Sequence, residues 1–226
     1  EHQTLLFSAT MPEDIKKLAH DCLRDPRHIS LITERKAPES IDHYFTYQHP
    51  KDKHTALVKY LKDEDVKQAL IFCNARHVVD KMHDSIRKEF ENVGYIHAGL
   101  SQDKRSSVFR QFKSLKIRYL LASDVAGRGL DFSQVSHVIN WNMPRGRESY
   151  THRTGRTGRM GKRGKALTFV TKHELSDLRE LLDRNEISPC WIGENPLQEK
   201  HASQDRKKKK RPFRPNRGKG KKVAKP

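Results

Sequence analysis

The sequence lacks any apolar run long enough to cross a membrane, and it has few cysteines. A spanning helix needs roughly 20 consecutive apolar residues, and because no such run occurs we expect no membrane partner. The three cysteines, Cys22, Cys73 and Cys190, are far apart, and their apolar neighbours predict reduced, buried thiols in a cytoplasmic protein. The 13 histidines are scattered without ligand-like spacing, so no metal site is expected.

The first residues carry no targeting signal. Residues 1–7 match neither a secretory nor a transit peptide. The sequence has no initiating methionine and opens inside an apolar, strand-like run, so we expect a piece of a longer protein.

Positive charge is unevenly distributed along the 226 residues. The formal net charge is +18, and residues 200–226 alone hold 13 Lys and Arg against one acid, Asp205. This basic segment contains too few apolar residues to form a core, so we expect residues 193–226 to be a disordered tail. A strong basic bias indicates either a nucleic-acid partner or an anionic membrane surface. The tail is interpreted as a tether to structured RNA, with a solubilising segment or a nuclear-localisation signal as alternatives.

Strand-like and helix-like segments alternate through the middle of the chain. The predicted strands are 41–48, 69–73, 93–97, 117–122, 137–141 and 166–170, and the predicted helices are 53–61, 75–90, 101–112, 147–154 and 173–183. Alternating strands and helices imply right-handed crossovers and a parallel sheet. The sequence therefore predicts an α/β domain over residues 41–192, with a parallel sheet flanked by helices.

The residues before this domain read as the end of another one. A short strand at 4–7, a helix whose face carries Ile15, Leu18, Ala19 and Cys22, and an extended stretch at 29–32 are too few to bury a core. Residues 33–40 are polar and contain a proline, which is typical of an interdomain linker. We therefore expect residues 1–32 to be the C-terminal end of a first domain.

Polar insertions follow several of the predicted strands. They comprise residues 74–76, 98–102 and 123–131, together with a glycine–arginine segment beyond the strand at 137–141. Because ligands gather at the carboxyl ends of parallel strands, we expect all four insertions to meet on that edge of the sheet.

The glycine–arginine segment, residues 150–161, is the most distinctive stretch. Arg153, Arg156 and Arg159 recur every three residues and are interleaved with Gly155 and Gly158. Glycine permits positive φ and close approach, and guanidinium groups pair with phosphate oxygens. The pattern favours a polyphosphate ligand over the alternative of a solvated basic loop.

Several of these segments stand together in the order of a known family. The chain resembles the DEAD-box RNA helicases at residues 8–10 (Ser-Ala-Thr), 70–76, Gln102 with Arg105, 123–131, 135–144 and 152–159. The resemblance spans residues 1 to about 172. It implies that residues 41–192 form the second RecA-like domain of an ATP-dependent RNA helicase, and that residues 1–32 end the first.

The resemblance implies roles on the nucleotide side. Arg156 and Arg159 would be arginine fingers for the γ-phosphate of ATP, and His152 would couple the nucleotide and RNA sites. Gly129 and Asp131 would meet the ribose. A satisfied structural histidine and a loop-capping aspartate remain alternatives for His152 and Asp131.

The resemblance also implies contacts to RNA and to the first domain. Asn74, Arg76, Gln102, Arg105 and Ser123 would contact the RNA backbone, without base specificity because none is a stacking aromatic. An exposed helix charge is the alternative for Arg105. Ser8, Thr10 and Arg153 would take part in interdomain coupling.

Two family features are absent from the sequence. No phosphate loop ending in Gly-Lys-Ser/Thr and no Asp-Glu-Ala-Asp motif occurs, so the phosphates and Mg²⁺ would be held mainly by another domain. We therefore expect this chain alone to be inactive, monomeric and cytoplasmic, with RNA and pre-ribosomal particles as partners. The alternatives are a stand-alone RNA-binding module without ATPase activity and half of a DNA helicase; His152 disfavours the latter.

Overall fold

The computed structural model describes residues 2–8, 11, 13–30, 40–124, 135–159 and 161–198. The chain divides into two units, Glu1–Lys36 and Ala37–Pro226. Residues 33–39 of the predicted linker and residues 199–226 of the predicted tail lie outside the described residues.

The second unit alternates strands and helices as predicted. Its elements are β1 (Ile41–Tyr47), α2 (Lys53–Asp63), β2 (Ala69–Cys73), α3 (Arg76–Ile86), β3 (Val93–Ile96), α4 (Gln102–Lys113), β4 (Tyr119–Ser123), β5 (His137–Asn140), α5 (Arg147–Thr154), β6 (Gly164–Val170), α6 (Leu175–Asn185) and β7 (Cys190–Trp191). A 3₁₀ turn, Lys172–Glu174, precedes α6. The short strand β7 was not predicted, since two residues carry no recognisable period.

The strands form one parallel sheet. Its order is β3-β4-β2-β5-β6-β1-β7, and every described strand pairing is parallel. All five residues of β2 and of β4 are buried, because helices cover both faces at the centre of such a sheet. The predicted parallel α/β domain is therefore confirmed.

The core has three parts. One face of the sheet packs on α2 and α3 around residues such as Leu57, Val79 and Ile71. On the other face, Phe72 and Phe112 lie in a cluster under α4, and Tyr150 lies in a cluster with α6. Because α5 connects the parallel strands β5 and β6, the chain between them runs back across the sheet from the carboxyl ends of the strands towards their amino ends.

The first unit contains one helix, α1 (Glu13–Cys22), which begins with two acidic residues, Glu13 and Asp14. It buries none of its residues, so its predicted apolar face is exposed or half-buried. The strand predicted at 4–7 is wrong: residues 2–8 have no regular secondary structure, and Phe7 is 90% exposed. A strand needs a neighbour for its backbone hydrogen bonds, and the described residues of this unit offer none. Residues 29–30 also lack regular structure, and 31–32 lie outside the described residues.

The cysteine prediction was partly wrong. All three thiols are free, but Cys22 and Cys190 are exposed and only Cys73 is buried. Burial raises the pKa of the Cys73 thiol to about 12, so that thiol is unreactive. Within the residues that the structure describes, no helix has the length and apolarity to span a membrane.

Candidate functional site

Three of the predicted insertions meet at the carboxyl edge of the sheet. Asn74 directly follows β2, and Ser123 ends the adjacent strand β4, where it pairs with Cys73. Gln102 begins α4 after β3, the next strand along. The parallel sheet therefore brings side chains from distant parts of the sequence to one edge.

Asn74 and Arg76 are exposed at this edge. The Asn74 side chain also belongs to the fold, because its amide nitrogen donates to the Met143 carbonyl at 3.2 Å. Asn74 borders a cleft of about 400 Å³ that Arg145 and Arg184 also line.

Helix α4 carries Gln102 and Arg105 on one face. The Arg105 Nη1 donates to Gln102 Oε1 at 3.2 Å, and both border a groove of about 170 Å³. The helix begins as predicted, with the Ser101 hydroxyl accepting a hydrogen bond from the Lys104 N–H. Arg105 is half-buried, and its role in RNA binding stays a prediction.

The loop before α4 is held by a histidine. His97 Nδ1 accepts from the Gly99 N–H at 3.0 Å, so its proton lies on Nε2, which donates to Asp80 at 3.0 Å. A side chain at Gly99 would sit 3.0 Å from the His97 ring. The loop that presents Gln102 is therefore closely packed.

Ser123 is buried, with 6% exposure, and its hydroxyl has no hydrogen-bond partner among the described residues. Buried hydroxyls are usually paired, since an unpaired one costs free energy.

Arg153 lies beneath this edge and is 2% exposed. Its guanidinium binds both carboxylate oxygens of Asp124, at 2.5 and 2.7 Å. It also donates to the side-chain oxygens of Asn74 at 2.7 Å and Asn140 at 3.3 Å, and to the Asn142 carbonyl at 3.0 Å. The group joins the ends of β2, β4 and β5 within one domain. The interdomain coupling predicted for Arg153 stays a prediction, and a direct ion pair would require these bonds to break.

The glycine–arginine segment does not lie wholly at the carboxyl edge, so that part of the prediction was wrong. The buried Thr157 hydroxyl donates to the carbonyls of Val135 at 2.6 Å and Ser136 at 3.1 Å, just before β5 begins. Gly158 packs against Ser40 and Ile41, at the start of β1. The reason is that α5 runs back along the sheet, as a crossover helix must, and delivers the turn after it to the amino edge.

The glycines of this turn allow close packing within the domain. Gly158 has a φ of +67°, and an added Cβ would lie 2.7 Å from Ile41 Cγ1 and 2.9 Å from Ser40 Oγ. Gly155 has a φ of −65°, and its Cβ would meet the Thr151 carbonyl at 2.9 Å. The close approach predicted from these glycines is therefore to neighbouring backbone and side chains.

Arg156 and Arg159 flank the Thr157–Gly158 turn. Each is half-buried, and each Nε donates to the carbonyl four residues earlier: Arg156 to His152 at 3.3 Å and Arg159 to Gly155 at 2.8 Å. His152 is half-buried in the last turn of α5. Both arginine side chains therefore extend from the same short turn, and each is held by a hydrogen bond to a nearby backbone carbonyl.

Helix α5 is anchored by a buried pair. The Tyr150 hydroxyl lies 2.7 Å from His43 Nδ1 in β1, and the Tyr150 ring stacks on Phe45. Burial lowers the pKa of His43 to about 4, and burial likewise lowers the pKa of His137 at the start of β5 to about 4. Both imidazoles are therefore neutral at pH 7.

Some predicted residues cannot be placed. Gly129, Asp131 and Thr10 lie outside the described residues. Ser8 is exposed in the first unit. The described residues contain no group of three or more His, Cys, Asp or Glu side chains placed to hold a metal ion.

Sequence reasoning gave no role to Asp124, Thr157 or Ser40. Asp124 stood inside a noted insertion, and a buried arginine requires a carboxylate partner, which could have indicated it. Contacts of Thr157 and Ser40 depend on the path of α5, which no local pattern encodes.

Comparison with known proteins places this arrangement in a family. Residues 52–161 match the helicase conserved C-terminal domain. The DEAD-box ATP-dependent RNA helicase CshA of Geobacillus kaustophilus is 40% identical over 181 residues, which are 80% of this chain and 39% of CshA. The chain thus spans well under half the length of this relative.

Solved structures show the same fold. The E. coli DEAD-box protein SrmB, solved bound to the regulator of ribonuclease activity A, is 31% identical with a TM-score of 0.59; the match covers 66% of this chain and 89% of that one. S. cerevisiae Dbp5 bound to RNA and ADP BeF3 has a TM-score of 0.72 at 23% identity, covering 82% of this chain and 50% of that one. The predicted RecA-like fold is confirmed. From the parallel sheet, the braced arginine turn and these matches, we conclude that the chain belongs to the DEAD-box RNA helicase family and carries its helicase C-terminal domain.

Proposed function

We propose that this chain is the C-terminal portion of an ATP-dependent RNA helicase that couples ATP hydrolysis to local unwinding of structured RNA. One observation carries the proposal. Arg156 and Arg159 flank a turn fixed by a buried threonine and a left-handed glycine, and each Nε is tied to a backbone carbonyl. A solvated basic loop would not need such bracing.

On the nucleotide side, the two arginines would neutralise charge on the γ-phosphate. Phosphoryl transfer spreads negative charge over equatorial oxygens, and arginine fingers are worth roughly 10³–10⁵ in rate. ATP supplies the phosphoanhydride bond that is cleaved. A guanidinium fits phosphate oxygens in pairs, so the residues present suit this ligand. Gly129 and Asp131 would meet the ribose, and His152, next to the turn, would link it to the RNA side.

Mg²⁺ would be held mainly by the first domain. The phosphate loop and the Asp-Glu-Ala-Asp motif are absent from this sequence, and the described residues hold no cluster suited to a metal ion. This chain on its own would therefore be inactive, with residues 1–32 ending the first domain and 33–40 serving as the linker.

On the RNA side, the carboxyl-edge residues would contact the phosphate backbone and 2′-hydroxyls. Arg76 is exposed, Asn74 borders one open cleft, and Gln102 and Arg105 border another. The Ser123 hydroxyl has no hydrogen-bond partner among the described residues. None is an aromatic side chain, so binding would be independent of sequence. CshA, which is 40% identical to this chain, is an ATP-dependent RNA helicase, and this supports RNA as the class of ligand.

The remaining parts of the proposal concern the basic tail and the cellular setting. The basic tail would tether the helicase to structured RNA with a strong dependence on salt. Ribosome assembly in the cytoplasm is the setting we propose, with the protein acting as a monomer on pre-ribosomal particles.

The test is RNA-stimulated ATP hydrolysis by this chain alone and by the chain joined to a DEAD-box first domain. We expect activity only in the joined protein, falling about 10³-fold in Arg156→Ala. The matched control is Arg163→Ala, since Arg163 lies nearby but is exposed and paired with Asp42; it should retain activity.

Three results would overturn parts of the proposal. Hydrolysis by the isolated chain would mean that it holds a complete nucleotide site. A joined protein that binds RNA but is inert with or without Arg156 would instead indicate a stand-alone RNA-binding module. Equal activity on deoxyribose strands would indicate a DNA helicase.

A further inference from the structure

The chain enters the second domain directly against the arginine turn. The Ser40 hydroxyl donates to the Gly158 carbonyl at 2.9 Å, and the Gly164 N–H donates to the Ser40 carbonyl at 2.9 Å. Ser40 is half-buried and immediately precedes β1. One residue therefore links the start of the domain to both ends of the segment between Gly158 and β6.

The contact between Ser40 and the Thr157–Gly158 turn is closely packed. A Cβ on Gly158 would lie 3.1 Å from the Ser40 carbonyl oxygen, and a Cβ on Gly164 would lie 2.2 Å from Thr157 Oγ1. Thr157 is 2% exposed, and its hydroxyl is fixed to the carbonyls before β5. Because close-packed groups transmit displacement, a shift of Ser40 has to move the turn or break its hydrogen bond.

The turn in question lies between the two arginines. Its carbonyl at Gly158 is adjacent in the chain to Arg159 and two residues from Arg156. The Ser40 bond therefore acts on the backbone that sets the direction of both guanidinium groups.

We propose that Ser40 is a positioning residue for the arginine fingers. Its hydroxyl fixes the Thr157–Gly158 turn against the first residue of β1, so that the path of the chain entering the domain sets the placement of Arg156 and Arg159. The inference rests on the proposed function, and it adds a regulatory connection: the predicted linker ends at Ser40, so linker path and finger placement are coupled through one hydrogen bond.

The test uses the chain joined to a DEAD-box first domain and compares Ser40→Ala with Ser40→Thr. Small misplacements of catalytic groups cost up to about 100-fold in rate, and for loss of this one bond we expect kcat for RNA-stimulated hydrolysis to fall about tenfold. KM for ATP and for RNA should change less than about twofold, since the fingers act in the transition state. Ser40→Thr keeps the hydroxyl and should restore most of the rate. Ser176→Ala, an exposed serine in α6, is the matched control.

A double-mutant cycle separates positioning from a general effect on the fold. If Ser40 acts through the fingers, Ser40→Ala should lower the residual rate of a protein that carries both Arg156→Ala and Arg159→Ala by less than about twofold. A further tenfold loss in that background, or an unchanged kcat in the single variant, would overturn the proposal. Amide exchange of the 226-residue chain gives an independent readout: Ser40→Ala should speed exchange in the peptide covering residues 155–159, and unchanged exchange there would count against it.

Failure of this inference is distinct from failure of the proposed function. An active joined protein that depends on Arg156 but not on Ser40 removes only the positioning role. An inert joined protein that is indifferent to Arg156 removes the proposed function and, with it, this inference.

Discussion

Arg153 and the Thr157–Gly158 turn are four residues apart in sequence, yet they are held in the fold by opposite means. Arg153 is a buried cation, fixed by a bidentate carboxylate, two amide oxygens and a carbonyl at the carboxyl edge. The turn is held at the amino edge by neutral hydroxyl-to-carbonyl bonds from Thr157 and Ser40. Strand β5, which has four residues, separates the two sets of contacts, so they are roughly 13 Å apart at 3.3 Å per residue.

The difference shows what each edge can tolerate. A buried charge has to keep its partner, so the carboxyl-edge network forms as a unit or costs several kcal/mol. Neutral hydrogen bonds are each worth about 1 kcal/mol, so each single bond at the amino-edge turn contributes less to stability than the buried ion pair does. The turn depends instead on close packing around Gly158.

The largest expected effect is loss of the buried ion pair. Arg153→Met should lower the free energy of unfolding by about 3–5 kcal/mol, because Asp124 and three other acceptors lose their donor. Urea unfolding of the 226-residue chain measures this. Arg163→Ala, which removes an exposed ion pair with Asp42, is the control and should cost at most about 1 kcal/mol. Equal losses in the two variants would mean that the Arg153 network does not organise the edge.

The next effect concerns crowding at the turn. Gly158→Ala should lower the free energy of unfolding by about 2–3 kcal/mol. The alanine would have to adopt a φ of +67°, and its Cβ would lie 2.7 Å from Ile41 Cγ1 and 2.9 Å from Ser40 Oγ. Gly161 is a matched control with a φ of +73° and no atom within 4 Å of an added Cβ. Gly161→Ala should therefore lower the free energy of unfolding only by the cost of the positive φ, which is about 1 kcal/mol. If thermal unfolding gives the same loss for both, Ser40 and Ile41 do not confine the turn.

Lowering the pH should destabilise the domain, because two buried, neutral histidines near the turn would have to bind protons. His43 and His137 have folded pKa values lowered to about 4 by burial, whereas the unfolded value is about 6.5. The unfolded state therefore binds more protons between these values, and stability falls as pH drops from about 6.5 towards 4. We expect a loss of about 1–2 kcal/mol per histidine between pH 7 and pH 5, by urea unfolding. His43→Gln should remove about half of that slope; an unchanged slope would show that His43 is not neutral in the folded chain.

The smallest expected effect on stability is at Ser123. Its hydroxyl has no described partner, so Ser123→Ala should change the free energy of unfolding by less than about 0.5 kcal/mol. Loss of one hydrogen bond to RNA should nevertheless weaken RNA binding by the joined protein about fivefold. Ser123→Thr keeps the hydroxyl and should preserve affinity. A loss of stability above about 1 kcal/mol in Ser123→Ala would assign the hydroxyl to the fold instead.

Sequence patterns predicted most of the second domain. Apolar runs such as residues 69–73 identify strands buried on both faces, and α5 was predicted with its observed bounds. The first unit was predicted less well, because an apolar stretch such as 4–7 indicates a strand only if a neighbouring strand is available. The exposed Cys190 was missed for a related reason, since β7 pairs with β1 on one side only.

The candidate site was predicted unevenly. Residues directly after strands, such as Asn74 and Gln102, lie at the carboxyl edge as expected because strand ends fix their place. The glycine–arginine segment was placed on the wrong edge beyond Arg153, since its position depends on where α5 ends.

The sequence by itself determined the parallel sheet, the order of its elements and the residue types of the arginine segment, because these follow from hydrophobic period and local chemistry. Only the tertiary structure decided which groups those residues meet. It paired Arg153 with Asp124 inside the domain and placed Gly158 against Ser40. Both contacts join residues more than 25 positions apart, and such contacts are set by how the helices cross the sheet, which local sequence does not encode.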